Sequence, residues 1–235
     1  MRRITMFFFF LMALCNLQAQ VPKTTKPTAA QKTNVSKERL VEIKTDYGTM
    51  VVKLYDSTPL HRDNFIKLVK QGFYDSLLFH RVIEGFMIQG GDPDSKYADS
   101  TALLGNGSAT GETIPVEFRP NLYHKKGALA MARTDNPEKA SSNCQFYIVQ
   151  GKPYDNNFLN QVECGVRQFN ADFYYNDLER KTYSTVGGTP FLDQNYTVFG
   201  EVIKGLDVID KIAAVAKDQN DRPLKNVRMK MRMLN

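Results

Sequence analysis

The fold is decided by the stretch Phe79-His80-Arg81-Val82-Ile83-Glu84-Gly85-Phe86-Met87-Ile88-Gln89-Gly90-Gly91-Asp92. Its two halves, Phe79–Ile83 and Phe86–Gln89, are rich in aromatic and branched apolar residues, which is typical of two short strands. Strict alternation along a strand would send Phe86 and Met87 to opposite faces. Both side chains can line one groove only if a turn or a bulge interrupts the alternation there.

The segments around this stretch predict further strands and two helices. Val41–Thr45 and Met50–Tyr55 flank a turn that holds an Asp and a Gly, which indicates a β-hairpin. Start and stop signals predict one helix over Thr58–Lys70 and a second over about Leu206–Val215. The remaining strand candidates are Ala128–Ala132, Gln145–Val149, Thr197–Val202 and Val227–Met233.

Many short strands with two helices, and no regular strand–helix alternation, indicate a mainly β fold. An antiparallel barrel and an antiparallel sandwich both fit this pattern, whereas a doubly wound sheet does not. The residue pattern alone leaves barrel and sandwich open.

The first residues predict a secretory signal peptide over 1–19. Arg2 and Arg3 precede an apolar run from Met6 to Leu14, which is too short for a permanent membrane span, and Ala19 offers a small residue for cleavage. Lipidation at Cys15 is the alternative. Residues 20–39 are polar and predict a flexible linker, which leaves one folded domain over 40–235 in an exported, periplasmic or secreted protein.

Composition narrows the functional classes. The 235 residues are 42% hydrophobic and carry a formal charge of +6. The one regular basic array, Arg228, Lys230 and Arg232, alternates with apolar residues and so indicates a strand with a solvated face, not a nucleic-acid site. We therefore expect no nucleic-acid partner, and a monomer.

Motifs for cofactors, metals and hydrolysis are absent from the sequence. The glycines at 105, 107 and 111 match neither a dinucleotide fingerprint nor a phosphate loop, and there is no nucleophile elbow. His61, His80 and His124 are scattered, and His80 is interpreted as a satisfied core histidine. We expect no metal and no cofactor. Cys144 and Cys164 either pair or act as separate small core residues.

The stretch from Phe79 to Asp92 resembles the signature of the cyclophilin-type peptidyl-prolyl cis/trans isomerases, with Glu84 where many members have proline. The resemblance continues through Gly127–Ala132, Ser141–Ile148, Phe191–Asp193 and Tyr196–Gly200. It implies a closed, antiparallel eight-stranded barrel capped by two helices. It also implies isomerase activity on proline-containing polypeptides, without a cofactor.

The resemblance also implies a set of site residues. Arg81 is the catalytic donor to the proline nitrogen, since a guanidinium is permanently charged and offers several donors in one plane. Gln89 and Gln145 contact the substrate backbone. The other substrate-binding residues are Phe86, Met87, Ala132, Phe146, Phe191, Leu192 and Tyr196.

The chain departs from simple family members at three further places. Phe191 and Tyr196 stand where several eukaryotic members carry tryptophan and histidine, and both keep an aromatic wall. An insertion over 154–188 is rich in aromatics, and the spacing of Phe169 and Phe173 predicts a helix within Phe169–Tyr183. The insertion either packs on the barrel wall, which is the preferred interpretation, or restricts access to the groove. The rival function is a non-catalytic polypeptide-binding module.

Overall fold

The computed structural model describes residues 38–234. The predicted signal peptide, and the predicted linker apart from its last two residues, lie outside the described residues. Arg39 already begins the first strand, so regular structure starts one residue before the predicted domain boundary.

Within residues 38–234 the chain forms ten strands and four α-helices. The strands are β1 Arg39–Thr45, β2 Gly48–Leu54, β3 Phe79–Ile83, β4 Met87–Gly90, β5 Thr113–Ile114, β6 Ala128–Met131, β7 Ser141–Ser142, β8 Phe146–Val149, β9 Val198–Lys204 and β10 Lys230–Leu234. The helices are α1 Pro59–Lys70, α2 Asn156–Arg167, α3 Asp177–Thr185 and α4 Leu206–Ala213.

Eight of the strands form one antiparallel sheet in the order β10-β1-β2-β9-β6-β8-β4-β3, while β5 and β7 pair separately. The two edges of the sheet meet at the start of β3 and just before β10. There the Phe79 amide donates to Val227 O at 2.9 Å, and the Met229 amide donates to Leu77 O at 2.9 Å. The predicted eight-stranded antiparallel architecture is confirmed. Closure of the barrel was also predicted, but among the described residues β3 and β10 form no continuous ladder, and the two edges share this short contact.

The two predicted capping helices cover one continuous core. Helix α1 buries Phe65, Leu68 and Val69, and α4 buries Val208, Ile209 and Ile212, all in the same apolar cluster as the inward residues of the sheet. Gly205, with φ +82°, allows the turn into α4, because a Cβ there would lie 2.3 Å from Thr49 O.

The insertion is helical as predicted, and α3 overlaps the predicted Phe169–Tyr183 segment, but the two phenylalanines whose spacing suggested a helix lie outside both helices. Phe169 and Phe173 lie in the connection between α2 and α3, because Asp155 caps α2 and the capping box of Asn176 and Glu179 fixes the start of α3. The buried residues of the insertion form their own cluster: Leu159, Val166, Phe173, Tyr175 and Tyr183. Phe169 and Tyr174 remain exposed.

Cys144 is buried and Cys164 is exposed, and both are free thiols, so these two cysteines do not pair. Between residues 38 and 234 there is no helix with the length and apolarity needed to cross a bilayer.

Candidate functional site

A cavity of about 200 Å³ opens on the outer face of the sheet where β4, β6 and β8 lie side by side. We call it the central cavity. Its lining consists of Arg81, Phe86, Met87, Gln89, Ala132, Arg133, Tyr147, Leu192 and Tyr196.

Strand register places the polar and apolar sides of the central cavity next to each other. Arg81 of β3 is paired with Gln89 of β4, and Gln89 is paired with Tyr147 of β8. Because residues directly opposite one another in a sheet point to the same face, these side chains form one row across three strands.

The Arg81 side chain is 43% exposed and is held from two directions. Its Nη1 donates to Gln89 Oε1 at 3.4 Å, and its Nε lies 3.9 Å from Asp221 Oδ2. Among residues 38–234 its Nη2 has no hydrogen-bond partner. The guanidinium is therefore oriented by its neighbours and keeps donors for a bound molecule.

Gln145 fixes which way the Gln89 amide points. Gln145 Nε2 donates to the carbonyls of Gly105 at 2.9 Å and Gly107 at 2.8 Å. Gln145 Oε1 is therefore turned towards Gln89 and accepts from its Nε2 at 3.2 Å. Gln89 in turn presents its oxygen to Arg81. The loop of Gly105 and Gly107, which we call the glycine loop, therefore orients Gln145, and Gln145 orients Gln89 and the guanidinium beside it.

The apolar side of the cavity combines a strand and the turn before it. Met87 belongs to β4, whereas Phe86 lies in the preceding turn, after Gly85 with φ +74°. This turn interrupts the alternation, so both side chains line the central cavity. Leu192 and Tyr196 contribute from the segment between the insertion and β9.

Tyr147 forms a buried wall of the cavity and is only 4% exposed. Its ring stacks on His124, with centroids 6.0 Å apart, and meets Tyr196 edge-on at 5.8 Å. Its hydroxyl lies 2.9 Å from His124 Nε2. The orientation of the ring is thus set by three contacts with two neighbours.

Seven of the predicted site residues line the central cavity, namely Arg81, Phe86, Met87, Gln89, Ala132, Leu192 and Tyr196. Gln145 lines a neighbouring cavity of about 240 Å³ beside the glycine loop. Phe191 is 42% exposed and packs on Phe86 at 5.7 Å, so it lies at the rim.

Phe146 does not line the cavity, which corrects the sequence interpretation. It is fully buried and packs edge-on against Phe65, Tyr74 and Phe79 inside the core. Side chains alternate along β8, so a residue next to a core residue faces the other side of the sheet. Tyr147, which the sequence interpretation missed together with Arg133, occupies the cavity side. Alternation from Gln145 would have identified Tyr147.

His80 is buried beside Arg81, but it is not a satisfied core histidine. Neither ring nitrogen makes a hydrogen bond of normal geometry within the part of the chain described here. Burial lowers the pKa of His80 to about 4, so its ring is neutral at physiological pH. A neutral ring adds no positive charge that would compete with the guanidinium.

No group of three or more His, Cys, Asp or Glu side chains suited to a metal ion occurs among residues 38–234. The chemistry that the arrangement can perform is hydrogen bonding by an oriented cation beside an apolar pocket.

Comparisons with known proteins agree with this geometry. The family model for cyclophilin type peptidyl-prolyl cis-trans isomerase/CLD matches residues 40–232. A protein of Staphylococcus aureus strain USA300, whose name assigns it to the peptidyl-prolyl cis-trans isomerases, is 37% identical over 188 residues, covering 80% of this chain and 87% of its own. A similarly named protein of Staphylococcus saprophyticus is 36% identical over 184 residues, covering 78% and 85%.

A solved structure extends the comparison to the fold. The cyclophilin type peptidyl-prolyl cis-trans isomerase of Cryptosporidium parvum superposes with a TM-score of 0.62 at 23% identity, covering 85% of this chain and 99% of that one. The family model and the staphylococcal relatives carry the assignment, and the sheet topology agrees with it. The resemblance seen in the sequence is confirmed, and the chain belongs to the cyclophilin-type peptidyl-prolyl cis-trans isomerase family.

Proposed function

We propose that this chain accelerates rotation about X-Pro bonds in exported polypeptides, with Arg81 as the donor that stabilises the twisted amide. The observation that carries this proposal is the placement of the oriented Arg81 guanidinium and an apolar wall on one cavity of about 200 Å³. A proline ring needs the apolar wall, and its nitrogen needs the donor.

The physical problem is the partial double bond of the amide. Rotation requires breaking the conjugation between nitrogen and carbonyl, at a barrier of about 18–20 kcal/mol. When the bond twists, the proline nitrogen becomes pyramidal and its lone pair is localised. A donor placed at that nitrogen bonds the twisted state more strongly than the planar one, and this difference accelerates the reaction.

The cavity supplies the two requirements with little reorganisation. Gln89 and Asp221 hold Arg81 before substrate arrives, so the guanidinium does not have to be ordered during the reaction. Phe86, Met87 and Tyr147 provide the wall for the ring. A dipeptide of this chemistry has a precedent, because the Cryptosporidium enzyme has also been crystallised in the presence of Ala-Pro.

The test is the cis-to-trans relaxation rate of an Ala-Pro peptide with the full chain and with Arg81→Ala. We expect kcat/KM to fall about 10²–10³-fold, the usual loss for one preorganised donor. Arg232→Ala is the matched control, since it removes an exposed arginine paired with Glu42 far along the chain from the cavity, and it should leave the rate unchanged. Activity of Arg81→Ala within twofold of the parent would reject the role of Arg81. Peptide binding without any acceleration by the parent chain would favour the binding-module alternative.

The assignment of exported substrates is supported by the first residues of the sequence. Arg2 and Arg3 followed by the apolar run Met6–Leu14 are typical of a secretory signal. Mass spectrometry of the protein isolated from its native host should find Gln20 as the first residue, after cleavage at Ala19. A mature chain that begins with a lipidated Cys15 would make the protein membrane-anchored, and an uncleaved chain would argue against export.

A further inference from the structure

The insertion reaches the wall of the central cavity through an unbroken series of hydrogen bonds. Tyr175 and Tyr183 donate their hydroxyls to Asp193 Oδ2 at 2.7 and 2.6 Å. Asp193 Oδ1 accepts from His124 Nδ1 at 2.7 Å and from the His124 backbone amide at 2.9 Å. His124 Nε2 lies 2.9 Å from the hydroxyl of Tyr147. We call these five residues the Asp193 network.

The chemistry of the groups fixes the direction of each bond. A carboxylate only accepts, so Nδ1 of His124 carries the proton that points at Asp193. In the neutral imidazole with its proton on Nδ1, Nε2 accepts a hydrogen bond from the Tyr147 hydroxyl. In this tautomer all three hydroxyls act as donors, and the bond to Nε2 holds the hydroxyl end of the Tyr147 ring at His124.

Burial makes this arrangement persistent. Each of the five side chains is at most 4% exposed, so a broken bond would leave a polar group without water. Burial raises the pKa of the Tyr147, Tyr175 and Tyr183 hydroxyls far above the physiological range, so all three remain protonated donors.

We propose that Tyr175 and Tyr183 are positioning residues of the central cavity, which act through Asp193 and His124 on the ring of Tyr147. The inference rests on the proposed function, because it assigns the insertion a role in that same site. The insertion is then part of the machinery that shapes the pocket and is not a separate layer on the barrel.

Two features argue for positioning beyond simple attachment. The backbone of Tyr147 is held by β8, between β4 and β6, whereas the tilt of its ring is held by its hydroxyl and by the stacked His124. Asp193 is placed between the two halves of the network, and the insertion supplies two of its four side-chain acceptor bonds. Loss of either tyrosine hydroxyl therefore loosens the carboxylate that orients His124.

The test is a double-mutant cycle on the full chain with Tyr183→Phe and Tyr147→Phe, each of which removes a hydroxyl and keeps the ring. We expect Tyr183→Phe to lower kcat/KM for an Ala-Pro peptide about fivefold, the rate equivalent of one hydrogen bond. The double variant should be no slower than Tyr147→Phe alone to within about twofold, because both changes act through the same ring.

Tyr123→Phe is the matched control. Its hydroxyl joins the barrel to Thr182 of α3 at 3.3 Å without contacting Asp193, so it should alter the stability of the insertion and leave kcat/KM unchanged. Unchanged kcat/KM in Tyr183→Phe, or losses that simply add in the double variant, would overturn the proposal and leave the network a purely structural one.

A second measurement separates this proposal from the proposed function. The NMR chemical shifts of the Tyr147 ring should move in Tyr183→Phe and stay fixed in Tyr123→Phe, whether or not the chain proves to be an isomerase. Shifts that stay fixed in Tyr183→Phe would also overturn the positioning role. Failure of the parent chain to accelerate peptide rotation would reject the proposed function alone.

Discussion

Two buried histidines of this protein, His61 and His124, make the same pattern of hydrogen bonds in two different regions of the molecule. His61 donates from Nδ1 to Glu117 at 2.7 Å, and its Nε2 lies 3.0 Å from the Ser141 hydroxyl. His124 donates from Nδ1 to Asp193 at 2.7 Å, and its Nε2 lies 2.9 Å from the Tyr147 hydroxyl. In both cases the backbone amide of the histidine also donates to the same carboxylate.

The two regions differ in the residue that carries the hydroxyl, which is Ser141 at His61 and Tyr147 at His124. Ser141 belongs to the short strand β7. The hydrogen bonds of His61 therefore connect the start of α1 to Glu117 and to β7. Tyr147 carries an aromatic ring that forms a wall of the central cavity. The same set of hydrogen bonds joins structural elements in one region and borders the central cavity in the other.

His80 is buried like these two histidines, but its ring lacks their hydrogen bonds. Its ring is 3% exposed, and neither nitrogen is hydrogen-bonded within residues 38–234. His61 and His80 both have a lowered pKa, and burial is the principal cause in each case. For His61 the carboxylate of Glu117 opposes that effect.

The largest expected effect comes from removing either carboxylate. Glu117→Ala and Asp193→Ala should each lower the free energy of unfolding by about 3–5 kcal/mol, because the donors around a lost buried carboxylate have no replacement. Asp193→Ala should cost more, since four donors point at Asp193 and three at Glu117. Chemical denaturation measures both values. A larger loss for Glu117→Ala would show that the two regions are not equivalent in the way described.

An intermediate effect is expected from acid. The folded state binds a proton at His80 less readily than the unfolded state, so this contribution to stability is complete above about pH 6.5 and is lost as the pH falls towards 4. From pH 7 to pH 5 the loss due to His80 amounts to about 2 kcal/mol. Denaturation of the parent and of His80→Leu at both pH values measures it. An identical pH dependence in the two proteins would exclude His80 as the source.

The smallest expected effect comes from the two hydroxyls. Ser141→Ala and Tyr147→Phe should each cost about 1 kcal/mol of stability, the net value of one hydrogen bond. Only Tyr147→Phe should also lower kcat/KM, because only Tyr147 borders the central cavity. Measuring stability and peptide isomerisation on the same samples tests this. A rate loss in Ser141→Ala equal to that in Tyr147→Phe would remove the distinction between the two regions.

The strands were predictable from sequence where the residue pattern is local. β3 was placed at its observed bounds, and α1 and α4 within a few residues, because apolar periodicity and the Pro and Gly signals act over one or two turns of chain. In the insertion, α3 overlaps the predicted Phe169–Tyr183 segment, but Phe169 and Phe173 themselves lie in the connection before it, because Asp155 and Asn176 fix the helix starts.

The site shows the same limit. Most of the predicted residues line the central cavity, because the resemblance identifies them as one motif. Phe146 was misassigned in place of Tyr147, since the face that a residue takes depends on where its strand begins and pairs. Phe86 entered the cavity through a turn whose geometry the residue types did not specify.

By itself the sequence determined the family, the mainly β architecture and the identity of Arg81 as the candidate donor, because these follow from local patterns and from one long motif. Only the tertiary structure decided that Tyr147 forms the wall, that Gln145 is hydrogen-bonded to Gln89, and that His124, Asp193 and the tyrosines of the insertion meet. Those contacts join residues from 10 to 69 positions apart along the chain. No local pattern encodes such distances, because the folding of the sheet and the insertion brings these groups together.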